Sequence, residues 1–218
     1  MLRRFESYAF RDGTTPGQIA ELTRALRRAS EFIPEILFSV AAENQSVADA
    51  ALVWEHAYED PAAYARYMCH PYHICVLDRF LLPESPECIT APRPELGLGL
   101  LGYEVDGAPF RRDRGIRRLV AMKAASRVET GAWRVFAAGL TDLPARSPDL
   151  RVSIVAPNTM GLEWSPDGWT HLWEQAYDDE AAMRRSLTAE AGLLASGPIE
   201  GWTDLWYPLD AEPSDRAP

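Results

Sequence analysis

Three side chains in one short segment have types and spacing suited to acid–base chemistry. Tyr67, His70 and His73 lie within a single run of the sequence. An imidazole titrates near neutral pH, so His73 could take the acidic proton that lies between two carbonyl groups. The phenol of Tyr67 could donate a hydrogen bond to the enolate that develops. The structural alternatives are a histidine that caps a helix end and a tyrosine that packs in the core with its hydroxyl at the rim. His70 is predicted to orient the turn.

Two segments with strand-like alternation bring further polar side chains to one face. Side chains two residues apart in a strand share a face. The predicted inner face therefore carries Leu52, Trp54, His56 and Tyr58 on one strand and Arg4, Glu6, Tyr8 and Phe10 on the other. A buried carboxylate is costly unless it is paired, and Arg4 is the obvious partner of Glu6. The pair could bind a substrate carboxylate or tune a histidine, and the alternative is a weak ion pair at a sheet edge.

These residues define the predicted site. The predicted catalytic residues are His73, Tyr67, His56 and Glu6. The predicted substrate-binding residues are Arg4, Tyr8, Trp54, Tyr58 and His171. No metal is predicted, because ligation would require His56, His73 and Glu6 to converge and no local spacing demands it.

The elements that must position these residues occur twice. Residues 51–60, ALVWEHAYED, return as residues 170–179, THLWEQAYDD, and residues 2–5 match residues 116–119. A colinear match of this kind indicates an internal duplication. The second copy is poorer in titratable groups, because Val120, Met122 and Gln175 stand where the first copy has Glu6, Tyr8 and His56.

Periodicity predicts the order β-α-β-β-α-β in each copy, which is the ferredoxin-like order with an antiparallel sheet and helices on one face. Thr15 and Pro16 are typical of a helix start, and the acidic stretches at residues 59–60 and 178–180 favour the start of the second helix. The last strands are predicted at residues 87–91 and 202–207. The expected fold class is therefore α+β, with two ferredoxin-like repeats.

The segment YMCHPYH of residues 67–73 resembles the Y-x-x-H-P-x-H run of the stress-responsive A/B barrel (Dabb) family. The resemblance covers the first half well, and the second half only in pattern around Trp173. It implies that two such units pair through their sheets, so the tandem copy is similar to a fused dimeric-type α+β barrel. The first half is similar to polyketide cyclases of the olivetolic acid cyclase type, which need no cofactor and in which Tyr67 and His73 would act as a pair on a poly-β-keto thioester. The chain departs from the family where Arg4 and Arg118 replace a first-strand histidine.

The predicted domains follow from the repeat. Residues 1–91 form a Dabb-type repeat, residues 92–115 a linker rich in Pro and Gly, residues 116–210 a degenerate second repeat, and residues 211–218 a disordered tail. The linker contains GLGLLG at residues 97–102, which formally fits G-x-G-x-x-G. A dinucleotide site needs a preceding strand and a following helix, and neither is predicted, so we interpret this segment as a linker.

Composition excludes several classes of partner. The 218 residues carry 22 basic and 32 acidic side chains, a net charge of −10, which disfavours nonspecific binding to nucleic acid. No apolar run approaches the roughly 20 residues that span a bilayer. Glu6 is an acidic residue too close to the N-terminus for a signal peptide. The three cysteines form no C-x-x-C motif, which favours reduced thiols. We therefore expect a cytoplasmic protein with a small-molecule substrate, either a monomer with an intramolecular barrel or a homodimer.

The residues and the resemblance together favour a cofactor-independent enzyme that uses general acid–base catalysis in the first repeat. The predicted reaction is the cyclisation of a polyketide-like or aromatic β-keto substrate. Two alternatives stay open. One is a noncatalytic stress-related or ligand-binding α+β barrel, and the other is a cofactor-free monooxygenase of the antibiotic-biosynthesis type, since fold alone does not decide function.

Overall fold

The computed structural model of the protein describes residues 1–46, 50–91, 99–106, 114–127, 129–160 and 168–209. These residues form two antiparallel sheets of four strands each. They divide into two compact units, residues 1–106 with 158–160 and residues 114–157 with 168–209. The predicted tail at 211–218 and residues 92–98 and 107–113 of the predicted linker lie outside the described residues.

The first unit has its sheet in the order β2-β3-β1-β4. Its elements are β1 (Leu2–Tyr8), α1 (Pro16–Arg27), the short α2 (Ala29–Phe32), β2 (Ile36–Glu43), β3 (Leu52–Tyr58), α3 (Pro61–Met68), a π-helical turn (His73–Leu77), α4 (Asp78–Leu81) and β4 (Leu100–Glu104).

The second unit repeats this plan with its sheet in the order β6-β7-β5-β8. Its elements are β5 (Gly115–Ala124), α5 (Thr130–Thr141), a 3₁₀ turn (Leu143–Ala145), β6 (Leu150–Pro157), β7 (His171–Tyr177), α6 (Glu180–Ser196) and β8 (Ile199–Leu209). The predicted α+β class and the two ferredoxin-like repeats are confirmed.

The predicted helix starts are confirmed by their caps. The Thr15 hydroxyl accepts a hydrogen bond from the Gln18 N–H at 3.3 Å, and the Gln18 side chain accepts one from the Thr15 N–H at 2.9 Å. This reciprocal pair satisfies amides that the first helical turn leaves free. Asp60 caps α3 through Ala63, and Asp179 caps α6 in the same way, each with a bond of 2.7 Å.

A hydrogen-bond pattern around one tryptophan recurs in both units. The indole N–H of Trp54 donates to Ser39 Oγ at 2.7 Å, and that of Trp173 donates to Ser153 Oγ at 2.8 Å. Each serine hydroxyl in turn donates to a carbonyl of the preceding helix, that of Leu26 or that of Leu140. The two tryptophans therefore connect a sheet to a helix in the same way, as expected of a duplicated packing motif.

The last strand of the first unit is not where the sequence predicts it. Residues 87–91 contribute only an isolated bridge between Phe10 and Thr90, and the fourth strand is Leu100–Glu104, inside the predicted linker. Gly102 is the reason that this glycine-containing segment fits beside β1. A Cβ at Gly102 would lie 2.8 Å from the Arg3 carbonyl oxygen and 3.3 Å from Arg4 Cγ, so glycine allows the close approach of this segment to the β1 backbone.

Among the residues that the structure describes, no helix combines the length and the apolar character needed to cross a bilayer. Cys69, Cys75 and Cys88 are free thiols.

Candidate functional site

Sheet register brings the predicted polar residues together under the helices of the first unit. Strands β1 and β3 are antiparallel neighbours, with Arg4 opposite His56 and Glu6 opposite Trp54. Trp54 and Tyr67 share one apolar core with residues of α1, so this face of the sheet does point toward the helices. The predicted inner face is confirmed.

Glu6 is the acceptor around which the cluster is arranged. Its Oε1 lies 3.2 Å from Arg4 Nη2 and 3.2 Å from His56 Nε2, and its Oε2 accepts a 2.6 Å hydrogen bond from the Tyr8 hydroxyl. Burial opposes ionisation, but Arg4, His56 and Tyr8 outweigh it and hold the pKa of Glu6 far below its usual range. Glu6 is therefore an ionised carboxylate with only 15% of its side chain exposed. The alternative of a weak pair at a sheet edge is wrong, since β1 is an inner strand.

Arg4 is buried with unused donors. Its side chain is 2% exposed, and its guanidinium lies over the Tyr64 ring with Cζ 4.0 Å from the ring centroid. Nη2 pairs with Glu6, whereas Nε and Nη1 have no hydrogen-bond partner. A buried donor without a partner is unfavourable, so a hydrogen-bond acceptor that reaches Nε or Nη1 would be stabilised there.

His56 is a neutral imidazole in a fixed orientation. Its ring stacks on Trp54 with centroids 3.9 Å apart, and its Nδ1 lies 2.8 Å from the Tyr58 hydroxyl. Burial lowers the pKa of His56 to about 4, although Glu6 raises it. Because the Glu6 carboxylate only accepts, we assign the ring proton to Nε2, and Nδ1 then accepts from Tyr58.

His73 and Tyr67 meet at the end of α3. Their ring centroids are 4.4 Å apart in an edge-to-face arrangement, and the exposed fractions are 7% for His73 and 1% for Tyr67. His73 Nδ1 lies 3.2 Å from the Met68 carbonyl oxygen, and Nε2 lies 3.6 Å from Asp78 Oδ1. His73 thus also contacts a carbonyl at the end of α3, as the alternative of a helix-capping histidine predicts. Burial raises the pKa of Tyr67 well above its ordinary value, so the phenol stays protonated.

The other predicted residues have different surroundings. Trp54 and Tyr58 are fully buried and contact His56 in the core. His70 accepts the Tyr72 N–H at 3.1 Å, in keeping with its predicted place in the turn. His171 lies in the second unit and packs on Trp133 with ring centroids 3.9 Å apart, so it does not join the cluster.

Two further residues of the cluster escaped sequence reasoning. Asp78 faces His73 because the π-helical turn brings residues five apart onto one side, a spacing that the 3.6-residue helical period does not reveal. Burial raises the pKa of Asp78, and the charge of His73 opposes that rise. Tyr64 stacks on Tyr67 and contacts Arg4, and its place one helical turn before Tyr67 is the signal that would have found it.

The second unit gives the equivalent arginine three side-chain acceptors. Arg118 Nη1 donates to Glu190 at 2.6 Å and to Gln175 at 2.8 Å, and its Nε donates to Asp204 at 2.5 Å. Tyr177 donates to the same Glu190 at 2.7 Å. Arg118 of the second unit is therefore hydrogen-bonded to acidic side chains, whereas the equivalent Arg4 of the first unit keeps two donors without a partner.

Two cavities of the described part lie outside this cluster. One of about 260 Å³ lies between α6 and β6, and a shallow groove runs between α5 and the end of α6, both in the second unit. Neither includes Tyr67 or His73. Within the described ranges, no three His, Cys, Asp or Glu side chains converge as metal ligands.

Comparison with known proteins was informative for the fold. No protein-family model matches the chain, and no curated protein matches it in sequence. An anthrone oxidase-like protein of known structure is 11% identical with a TM-score of 0.60, over 95% of this chain and 90% of that chain. A candidate monooxygenase of Fusobacterium nucleatum is 11% identical with a TM-score of 0.62, over 96% and 92%.

A third solved structure, the chlorite dismutase of Candidatus Nitrospira defluvii, is 10% identical with a TM-score of 0.58, over 95% of this chain and 90% of that chain. At these identities the likeness concerns the fold alone. It supports a fold of two ferredoxin-like repeats in one chain, whereas the resemblance to the Dabb family stays a prediction.

Proposed function

We propose that the first unit is the active site of a cofactor-independent enzyme that removes an acidic proton from a polyketide-like or aromatic β-keto substrate. The observation that carries this proposal is the buried guanidinium of Arg4, which has two unused donors in the same cluster as an oriented imidazole. A buried cation with free donors stabilises an enolate far better than an exposed one.

His73 is the proposed base. Because the Met68 carbonyl only accepts, Nδ1 carries the ring proton, and the lone pair on Nε2 takes the proton from the substrate carbon. Asp78, 3.6 Å from Nε2, then stabilises the imidazolium by charge. Tyr67 stays protonated and donates a hydrogen bond to the enolate oxygen, while Arg4 supplies positive charge.

Cyclisation is the proposed outcome. The enolate carbon attacks a second carbonyl of the same substrate, a carbon–carbon bond forms, and the proton on His73 passes to the new alkoxide. Protons and electrons balance without an oxidant. His73 and Glu6 are proposed as the point of substrate entry, because Glu6 keeps 15% and His73 9% of its side chain exposed while Arg4 keeps 2%.

Proton abstraction can be measured before the true substrate is known. A panel of β-keto thioesters and aromatic β-diketones is incubated in D₂O, and exchange at the central carbon is followed by NMR. We expect the protein to accelerate exchange, and His73→Ala to slow it by roughly 10²–10⁴-fold. The matched control is His70→Asn, in which the amide oxygen still accepts the Tyr72 N–H and exchange stays at the level of the parent protein.

The proposal fails if His73→Ala exchanges as fast as the parent. If the folded protein accelerates exchange for no member of the panel, the noncatalytic ligand-binding alternative is favoured.

A cofactor-free monooxygenase is the second candidate, supported by the fold shared with an anthrone oxidase-like protein and a candidate monooxygenase. The same deprotonation would start this reaction. The carbanion adds to O₂, the proton on His73 passes to the peroxide, and loss of water with the second hydrogen of that carbon leaves a new carbonyl, so that O₂ is the oxidant. Oxygen uptake that requires an exchanging substrate and disappears in His73→Ala would favour it over cyclisation.

A further inference from the structure

The second unit contains a cavity beside its long helix α6. It measures about 260 Å³ and lies between α6 and the segment that leads into β6. Its apolar lining comes from Leu143, Leu150 and Leu193. All of its lining residues belong to the second unit, so the cavity is separate from the first-unit cluster of Arg4, Glu6 and His56.

A single replacement between the repeats accounts for the cavity. Asp60 caps α3 and Asp179 caps α6, and counting from these caps places Ser186 where the first unit has Tyr67. In the first unit the Tyr67 phenol fills the space between helix and sheet, with 1% of its surface exposed. Serine leaves that space open, since the surrounding core collapses only in part when a large side chain is absent.

The inner end of the cavity is polar. Ser186 is 8% exposed, and its hydroxyl has no hydrogen-bond partner. Glu190, 3% exposed, lines the same end and is fixed by Arg118 and Tyr177. The serine hydroxyl can donate or accept, and the carboxylate accepts, so a ligand hydroxyl would find both kinds of partner here.

The outer end is basic. Arg146 and Arg185 line the rim and are exposed, with Asp149 as the carboxylate beside them. Arg185 pairs with Asp149, and Arg146 donates to the Gly139 carbonyl. Two guanidinium groups against one carboxylate favour a ligand anion, because guanidinium matches carboxylate geometry.

We infer that this cavity, which we call the α6 cavity, is a binding site for a phenolic acid, that is, one aromatic ring with a hydroxyl group at the inner end and a carboxylate at the rim. A cavity of roughly 150 Å³ accommodates benzene, so about 260 Å³ has room for a ring with two substituents. The site is independent of the catalytic role proposed for the first unit.

Calorimetric titration of the full chain with 4-hydroxybenzoate tests the inference. We expect one site per chain. Ser186→Tyr restores the side chain of the first repeat, fills the α6 cavity and should weaken binding by at least roughly tenfold, since little room for the ring is left. The control is Thr188→Tyr, which places the same side chain on the exposed face of α6 and should bind as the parent does.

Two smaller changes separate the ends of the ligand. Benzoate lacks the hydroxyl and should bind roughly 2- to 12-fold more weakly, and Ser186→Ala should weaken 4-hydroxybenzoate to a similar extent. 4-Hydroxybenzylamine, with a cation at the rim, should bind more weakly still. If Ser186→Tyr does not fold, Ala189→Phe, at an exposed residue of the lining, blocks the same space.

Three results would overturn the inference. They are absence of binding by 4-hydroxybenzoate to the parent protein, unchanged binding in the variant that fills the cavity, and tighter binding of the amine than of the acid.

Discussion

His56 shows how burial sets the protonation of one residue and, through it, the stability of the fold. The ring is fully buried between Trp54 and Tyr58, and burial is the main reason that its pKa falls to about 4. Glu6 raises the pKa of His56, but by less than burial lowers it. The imidazole is therefore a neutral group that lies between Glu6 and Tyr58, which gives it a positioning role for Arg4 and Glu6.

This neutral state predicts a pH dependence of folding. The pKa of His56 is about 4 in the folded chain and about 6.5 when unfolded, so the unfolded state binds the proton more readily between these values. The free energy of unfolding should fall as the pH drops from 6.5 to 4, by about 3 kcal/mol in total from this residue, and its contribution is complete above pH 6.5. Urea unfolding at several pH values measures it.

His56→Gln isolates that contribution, because the second unit carries Gln175 at the equivalent position. We expect the variant to lose this part of the pH dependence. Equal slopes for the parent and the variant between pH 6.5 and 4 would contradict the assignment, as would an NMR titration that places the pKa of His56 above 6.

At the scale of elements, sequence reasoning succeeded where the determinants are local. Thr15 and Asp60 mark helix starts because a cap depends on residues within one turn, and alternation in β3 identified the face that carries His56. It failed for β4, whose pairing with β1 is long-range and whose glycine resembled a linker. It also missed Asp78, because a π-helical turn interrupts the ordinary helical period.

Gly102 gives a test of why β4 contains a glycine. An added methyl group would lie 2.8 Å from the Arg3 carbonyl oxygen, so Gly102→Ala should lower the free energy of unfolding by about 1–3 kcal/mol through overpacking. Gly139, inside α5, has no atom within 4 Å of an added Cβ, and Gly139→Ala should raise it by about 0.5–1 kcal/mol. Urea unfolding compares the two, and a stabilising Gly102→Ala would show that β4 is more loosely packed than described.

At the scale of the whole molecule, duplication has produced two units with one plan and different polar interiors. The repeat was visible in the sequence because the tryptophan strand and the helix caps are retained. The space next to Ser186 was not visible in the sequence, because the effect of Ser186 in place of Tyr67 depends on how the surrounding side chains fill space. In the first unit Arg4 has donors without a partner, whereas in the second unit Arg118 is paired with acidic side chains.

The two arginines turn this divergence into a measurable difference. Arg118→Met would leave the buried Glu190 and the partly exposed Asp204 without their cation, and breaking such a network costs about 3–5 kcal/mol of unfolding free energy. Arg4→Met strands only Glu6, which keeps Tyr8 and His56, and it removes two unpartnered donors, so about 1–3 kcal/mol is expected. Equilibrium unfolding of both variants in urea compares them. A larger loss for Arg4→Met than for Arg118→Met would mean that Arg4 is a structural residue, and the enolate-binding role proposed for it would then lose its main support.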